Sequence, residues 1–320
     1  MNLLALSALV IGAQSVSVTQ TRTLQNVHVL NLCAATTGAK FAASVEDNSV
    51  QVIDAKSGTT LRKLVGHPQP VYGLAFNKAG TILATGDESA RIYLWNVSTG
   101  QKMREFTRMN AHTRGIQSLN FSADGKQLVS AGRDDVIIIW DVATGKPLKK
   151  ILGDGLNVAS AAFRTNSPAL YAATLGEGVK MWNRSNGSTS ALGGHEGRGA
   201  NDFVLSATGA KAVSGGMNNS VCVWDLGGKK RLAEMKGHED AVIHVALSPT
   251  GRLAASGSSD RTVRVWDLTS YKAIGTIAEC SSVGSPVCFT GDGNYLISAN
   301  MSDQVVISKV SIGSSGKGKK

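Results

Sequence analysis

The sequence predicts an all-β fold: a propeller of seven four-stranded antiparallel blades, closed by an N-terminal strand that completes the last blade. Three observations lead there. One segment recurs along the chain at a nearly constant period, each copy holds four short strand patterns parted by turn residues, and the seventh copy lacks a fourth strand that an unassigned pattern near the N-terminus supplies.

Self-similarity is clearest in GHEDAVIHVALSPTGRLAASGSSDRTVRVWDL (Gly237 to Leu268), AHTRGIQSLNFSADGKQLVSAGRDDVIIIWDV (Ala111 to Val142) and GHPQPVYGLAFNKAGTILATGDESARIYLWNV (Gly66 to Val97). Two landmarks fix the register. The residue after the tryptophan, or its equivalent, falls at Asp54, Asn96, Asp141, Asn183, Asp225, Asp267 and Lys309, giving gaps of 42, 45, 42, 42, 42 and 42. The turn glycine that precedes it falls at Gly38, Gly80, Gly125, Ser167 (a substitution), Gly209, Gly251 and Gly293, with the same gaps. The one three-residue insertion therefore lies around Arg108-Met109-Asn110.

In the sixth unit the strand patterns are Val242–Leu247, Leu253–Ser256, Thr262–Trp266 and Lys272–Ile277. A Gly-containing turn separates the first two, as in a hairpin. The third alternates, with Val263 and Val265 on one face and Thr262, Arg264 and Trp266 on the other. Four short antiparallel strands per period of 40 to 45 residues make a propeller blade.

Seven units need seven outer strands, and six lie between consecutive units. After Val310 only SIGSSGKGKK remains, too poor in apolar residues for a strand. Val16–Leu24 (VSVTQTRTL) supplies the seventh, its TRTL echoing TTLRKL at Thr59–Leu64, and is expected to pair with Val305–Val310. Such a clasp leaves no unpaired terminal blade as a template for aggregation.

Trp-Asp or Trp-Asn ends the third strand at Trp95-Asn96, Trp140-Asp141, Trp182-Asn183, Trp224-Asp225 and Trp266-Asp267. Gly-His opens units at Gly66-His67, Gly194-His195 and Gly237-His238, with Ala111-His112 a near match. Over residues 16–310 the chain resembles the WD-repeat (Trp-Asp, G-beta-like) family of seven-bladed β-propellers. The resemblance implies that His, Ser, Asp and Trp form a buried hydrogen-bond chain across a blade: His112, Ser130, Asp134 and Trp140 in unit three, His238, Ser256, Asp260 and Trp266 in unit six. The donor and acceptor inventory fits, since Trp only donates, Asp only accepts, and Ser and neutral His do both. The set decays elsewhere. Unit two keeps His67, Thr85 and Trp95 with Ser89 where Asp is expected, and unit five keeps His195, Ser214 and Trp224 with Asn218 there. Unit four has Asp154 in place of His and Gly176 in place of Asp; unit one keeps Asp47 but has Ile53 for Trp. A catalytic triad occurs once and lies in a cleft; a set that recurs with graded loss reads as structural reinforcement.

Family resemblance further implies a partner-binding ring face, bearing the residues that lead into each first strand and the turns before each third strand. Carried onto this sequence, the lead-in positions include His28, Tyr72, Gln117, Asn201 and Ile243, and the turn positions are Glu46, Glu88, Arg133, Leu175, Met217, Ser259 and Met301. Leu175, Met217, Ile243 and Met301 make an apolar arc in units four to seven, against Glu46, Glu88 and Arg133 in units one to three. Adaptable methionines with Arg or Tyr anchors suit a peptide.

No GxSxG, HExxH, GxxxxGK[ST] or GxGxxG occurs, so the sequence offers no catalytic, cofactor or metal motif. The four cysteines, Cys33, Cys222, Cys280 and Cys288, form no CxxC pair; Cys222 and Cys288 sit within apolar strand patterns. A net charge of +10 favours acidic partners. Nucleic-acid binding is the alternative it raises, although aromatics make up only 5% of the chain and stacking platforms are not evident. A propeller enzyme of lactonase or quinoprotein type needs a central metal or cofactor site that these residues do not assemble.

Residues 311–320, with Lys317, Lys319 and Lys320 behind a Gly/Ser run, read as a flexible basic tail. At the other end, the apolar run Leu3 to Ala13 is too short to span a bilayer as a helix. Its length suits a signal-peptide core, and Ala13-Gln14-Ser15 places small residues at a cleavage spacing, although no Lys or Arg precedes it. Residues 1–15 are thus expected to be a signal peptide and the protein exported; the alternative is a cytoplasmic chain in which the run packs on the domain. The expected role is a non-catalytic scaffold, monomeric within a complex, that binds a protein or peptide on one propeller face and spans no membrane when mature.

Overall fold

The computed structural model describes residues 9–11, 14–25, 27–109, 111–153, 155–196, 198–277, 280, 285–300 and 304–312. Every regular element among them is a β-strand, and the strands form seven antiparallel sheets. Blade 1 runs Val29–Ala34, Lys40–Val45, Val50–Asp54 and Thr60–Leu64; blade 2 runs Val71–Phe76, Ile82–Asp87, Ile92–Asn96 and Lys102–Glu105. Blade 3 comprises Ile116–Phe121, Gln127–Gly132, Val136–Asp141 and Pro147–Leu152, and blade 4 Val158–Phe163, Ala169–Thr174, Gly178–Asn183 and Thr189–Gly193. Blades 5 and 6 open at Ala200–Leu205 and Val242–Leu247 and end at Lys230–Met235 and Lys272–Ile277. The inner strands neighbour one another in cyclic order, with blade 7's Val287–Phe289 against blade 1's Val29–Ala34.

Period-2 alternation explains the packing. The first three strands of a blade turn one set of apolar side chains to the preceding blade and the other set to the following one. Both faces of each sheet are buried there, while outer strands such as Lys102–Glu105 stay exposed. Among the described residues the apolar side chains fall into seven clusters, each shared by two consecutive blades. The core is therefore a ring of seams, and stability rests on neighbouring blades.

Outer strands also reach forward. Arg22 Nη2 donates to the Lys56 carbonyl at 3.4 Å, Arg62 Nε to that of Ser98 at 2.8 Å, Arg104 Nη1 to that of Thr144 at 3.4 Å, and Lys149 Nζ to that of Arg184 at 3.2 Å. Each carbonyl belongs to the turn before the next blade's outer strand. Blades 7, 1, 2 and 3 thus each clamp their successor.

The ring closes in blade 7. Gln14–Leu24 pairs antiparallel with Val305–Ile312, from Val16 opposite Ile312 to Leu24 opposite Val305. Val16 and Val18 sink into the seam between blades 6 and 7, which gives the clasp an apolar reason beyond its hydrogen bonds. Blade 7 departs from the four-stranded expectation: Leu9–Ile11 adds a fifth strand, with Leu9 opposite Val16 and Ile11 opposite Gln14. An open strand edge presents a row of unpaired N–H and C=O groups, and an adjacent extended apolar segment satisfies part of it.

Candidate functional site: one ring face and the buried polar chains behind it

Four blades hold a buried histidine, and the same chain of bonds runs through each. In blade 3, His112 Nδ1 is 2.8 Å from Asp134 Oδ1, Nε2 is 2.7 Å from Ser130 Oγ, and Trp140 Nε1 donates to that same Oγ at 2.8 Å. In blade 6 the corresponding distances among His238, Asp260, Ser256 and Trp266 are 2.8, 2.7 and 2.8 Å. A neutral imidazole protonated at Nδ1 satisfies every group: the ring donates to the carboxylate, the serine hydroxyl donates to Nε2, and the indole donates to the serine.

Blade 2 corrects the sequence reading. Its acid is not missing at Ser89. Asp87, at the end of the second strand, lies with Oδ2 2.8 Å from His67 Nδ1, while Thr85 stands 2.6 Å from Nε2 and accepts from Trp95 Nε1 at 2.7 Å. Ser89 donates to Asp87 at 2.8 Å, so it supports the acid. The equivalent positions in blades 3 and 5 are Gly132 and Gly216, where a Cβ would stand 2.4 Å from His112 Nδ1 or 2.2 Å from His195 Nδ1. A side chain rooted there faces the imidazole directly, which is how Asp87 reaches it. The signal was an Asp in a Gly position two residues before the expected one.

Blade 5 replaces the acid with an amide. His195 Nδ1 lies 3.0 Å from Asn218 Oδ1 and 3.1 Å from Ser220 Oγ, its Nε2 lies 2.8 Å from Ser214 Oγ, and Trp224 donates to Ser214 at 2.8 Å. Glu234 accepts from the Asn218 amide at 3.1 Å and so turns its oxygen toward the ring, a role the sequence reading missed. Burial lowers the His195 pKa to about 4, against the opposing hydrogen bond that its ring donates to the Asn218 oxygen. In blade 6, burial likewise lowers His238 although Asp260 acts the other way. Burial pushes Asp260 up, but Thr262, the Glu239 N–H and His238 outweigh it and hold the carboxyl at about 2. In blade 1, Asp47 meets no histidine; it bonds Lys63 and Ser49 instead, which lower it to about 2.

Ser130, Ser214 and Ser256 are fully buried, and each hydroxyl already bonds a histidine and an indole. No substrate reaches them without the blades parting. In blades 2, 3, 5 and 6 these chains tie the lead-in loop to the second and third strands.

The lead-in loop and the turn before the third strand meet on one face of the ring. In six blades the turn residue's N–H donates to the carbonyl just ahead of the first strand: Glu46 to His28 at 3.2 Å, Glu88 to Pro70 at 2.9 Å, Arg133 to Gly115 at 3.0 Å, Leu175 to Asn157 at 3.2 Å, Met217 to Gly199 at 3.1 Å and Ser259 to Ala241 at 2.9 Å. The position of Met301 lies outside the described residues. Beside each turn the first strand bulges by one residue, which re-aims that side chain. Tyr72, Gln117, Asn201 and Ile243 occupy such bulges, and all are half-buried. In blade 1 the bulge falls between Val29 and Asn31, so the equivalent residue is Leu30; His28 lies two residues earlier and faces Glu46 at 3.5 Å.

Charge and apolar surface divide this face. Arg133 bonds Glu88 at 2.9 Å and its guanidinium stands 5.2 Å from the centre of the Tyr72 ring. The second Glu88 oxygen, Oε2, is buried without a partner. On the neighbouring blades 4 and 5, Met217 is 43% exposed and Leu156, on the lead-in loop of blade 4, is 58% exposed. Leu175 lies half-buried beside them. Gly199 makes this packing possible, since a Cβ there would come within 2.5 Å of Leu175 backbone atoms. Among the described residues no three His, Cys, Asp or Glu side chains gather to hold a metal ion.

Comparison with known proteins agrees with this geometry. The family model described as WD domain, G-beta repeat matches residues 58–96, 102–141, 187–225 and 229–267. The chain is similar to apoptotic protease-activating factor 1 of Rattus norvegicus, 34% identical over 73 residues that make up 23% of this chain and 6% of that protein. It is also similar to COMPASS component SWD3 of Saccharomyces cerevisiae, 33% identical over 73 residues, 23% of each chain. Nuclear distribution protein nudF of Aspergillus niger is 26% identical over 205 residues, 63% of this chain and 36% of that protein. The chain thus spans well under two thirds of the length of these curated relatives.

Proposed function

From the premise that this chain is a WD-repeat seven-bladed propeller, we propose that it is a non-catalytic scaffold binding a protein or peptide on the face that carries Glu46, Glu88, Arg133, Leu175 and Met217. The observation that carries this reading is the division of that face. An apolar arc of exposed Leu156 and Met217 with half-buried Leu175, on blades 4 and 5, lies beside a preformed Glu88–Arg133–Tyr72 group on blades 2 and 3. Protein partners fit such a surface because apolar anchors supply affinity and a fixed charged pair supplies orientation. The buried polar chains support this role by holding the loops of that face in place before a partner arrives. Export belongs to the same proposal, on the Leu3 to Ala13 run, as does a monomeric propeller working within a larger complex; sequencing of the mature N-terminus tests the first.

A displayed peptide library selected on the wild-type protein tests the site. Binders should lose at least roughly tenfold in affinity on Met217→Asp combined with Leu175→Asp, since burying a charge against an apolar anchor costs more than about 1.4 kcal/mol. Binders that keep full affinity for the variant, at unchanged thermal midpoint, would place the site elsewhere.

A further inference from the structure

A second surface lies on the rim, apart from the face just described, and stands or falls independently of it. Half of the eight large apolar side chains that are exposed among the described residues sit in two neighbouring segments: Met103 and Met109 in and after the outer strand of blade 2, Leu148 and Leu152 in the outer strand of blade 3. The segments touch. Thr107 N–H donates to the Gly145 carbonyl at 3.1 Å, and Arg104 Nη1 to that of Thr144 at 3.4 Å. Met109, 76% exposed, belongs to the three-residue insertion, the one interruption of the 42-residue period. The chain therefore departs from its own repeat at the place where, among the described residues, it presents its most exposed large apolar side chain.

Charge accompanies these side chains. The stretches 102–109 and 146–152 hold six cations, Lys102, Arg104, Arg108, Lys146, Lys149 and Lys150, against one acid, Glu105. Two further carboxylates border the stretches: Asp141 accepts from Thr144 at 2.7 Å, and Asp135, beside Gly153 at the end of the outer strand, accepts from the Gly155 N–H at 2.6 Å. Arg104 and Lys149 are committed to backbone carbonyls, whereas Arg108, Lys146 and Lys150 are exposed and make no ion pair among the described residues.

We propose that this rim of blades 2 and 3 docks on an anionic lipid surface. Leucine and methionine enter the headgroup boundary while the lysine and arginine heads stay with the lipid phosphates, their stems lying along the apolar region. A protein partner fits less well. Protein interfaces are depleted in lysine and enriched in aromatics, and the aromatics here, Phe106, Tyr93 and Trp140, are all buried. Nucleic acid would satisfy the cations but would leave four apolar side chains in water.

Co-sedimentation of the purified full chain with vesicles of phosphatidylcholine alone, or of phosphatidylcholine mixed with phosphatidylserine, tests this. The expected result is binding to the mixed vesicles only, weakening as salt is raised. Lys146→Gln with Lys150→Gln should cut binding roughly thirtyfold, from about fivefold per cation, and Lys150→Arg should leave it intact. Met109→Ser with Leu152→Ser should cut it at least roughly tenfold. All these sites are exposed, so the thermal midpoint should not move. A wild-type protein that stays in solution with the mixed vesicles overturns the inference. So do variants that bind as the wild type does, or retention by polyglutamate or duplex DNA without vesicle binding.

Discussion

Replacing Asp87 by Ala tests the buried chain of blade 2 where sequence and structure disagree. Asp87 is fully buried and accepts three bonds: from His67 Nδ1 at 2.8 Å, from Ser89 Oγ at 2.8 Å and from the Arg91 N–H at 2.9 Å. Burial raises its pKa, but the bonds from His67, Arg91 and Ser89 outweigh that and keep it below the ordinary carboxylate range, so at neutral pH a charge sits there, held by its donors. Removing it leaves the His67 and Arg91 donors without a partner, while the half-buried Ser89 can turn to water. Breaking one side of such a buried charged group costs about 3–5 kcal/mol. At roughly 2 °C per kcal/mol for a chain of this size, the thermal midpoint should fall by roughly 6–10 °C. Ser89→Ala removes one half-exposed donor and should cost less than about 1 kcal/mol. Calorimetry or urea unfolding of the two variants beside the wild type decides the matter. Equal losses in the two, or an unchanged midpoint in Asp87→Ala, would refute the assignment of Asp87 as the acid.

Acid should destabilise the protein in two steps. His195 has its pKa lowered from 6.5 to about 4, so its contribution is complete above pH 6.5 and is lost as pH falls from 6.5 toward 4, by at most about 3 kcal/mol. Asp260, lowered from 3.8 to about 2, contributes fully above pH 3.8 and loses that contribution as pH falls toward 2. Burial lowers His238 as well. Urea unfolding across this range should therefore show the first step reduced, by the His195 share, in His195→Asn and largely retained in Asp260→Asn; the reverse pattern would contradict the assignment. On the binding face, Gly199→Ala forces a Cβ to within 2.2 Å of the Leu175 carbonyl oxygen and should cost about 1–3 kcal/mol by overpacking. Blade 6 natively carries Ala241 at the equivalent position, so Ala241→Gly should be worth no more than about 1 kcal/mol by the same unfolding measurement.

Much of the architecture was legible because it is periodic. A fixed spacing between the turn glycine and the Trp-Asp pair survives loss of any single landmark, as at Ser167 and Lys309, and counting outer strands was enough to send Val16–Leu24 to blade 7. What escaped the sequence was contact that follows no fixed spacing. Asp87 reaches His67 from a strand end, a route that alignment to the usual turn acid does not consider. Glu234 makes no hydrogen bond to His195 itself and reaches it through the Asn218 amide and through its charge. Arg22, Arg62 and Arg104 recur near the blade period, yet their acceptors are backbone carbonyls of another blade, which leave no trace in residue identity. The fifth strand at Leu9–Ile11 was similarly hidden, since an apolar run reads alike as a leader or as a strand. On the partner-facing side, residue types marked the ring, but only the bulges told Leu30 from His28.

Ring closure is tested most directly by cross-linking Thr19 to Lys309, which lie opposite each other in blade 7. Opposed residues in antiparallel strands bring their Cβ atoms near disulfide distance. Thr19→Cys with Lys309→Cys should therefore oxidise to a link and raise the thermal midpoint, while Thr19→Cys with Lys63→Cys, a residue of blade 1's outer strand, should stay reduced. No link in the first pair, or ready linkage in the second, would mean that the N-terminal strand does not complete the seventh blade.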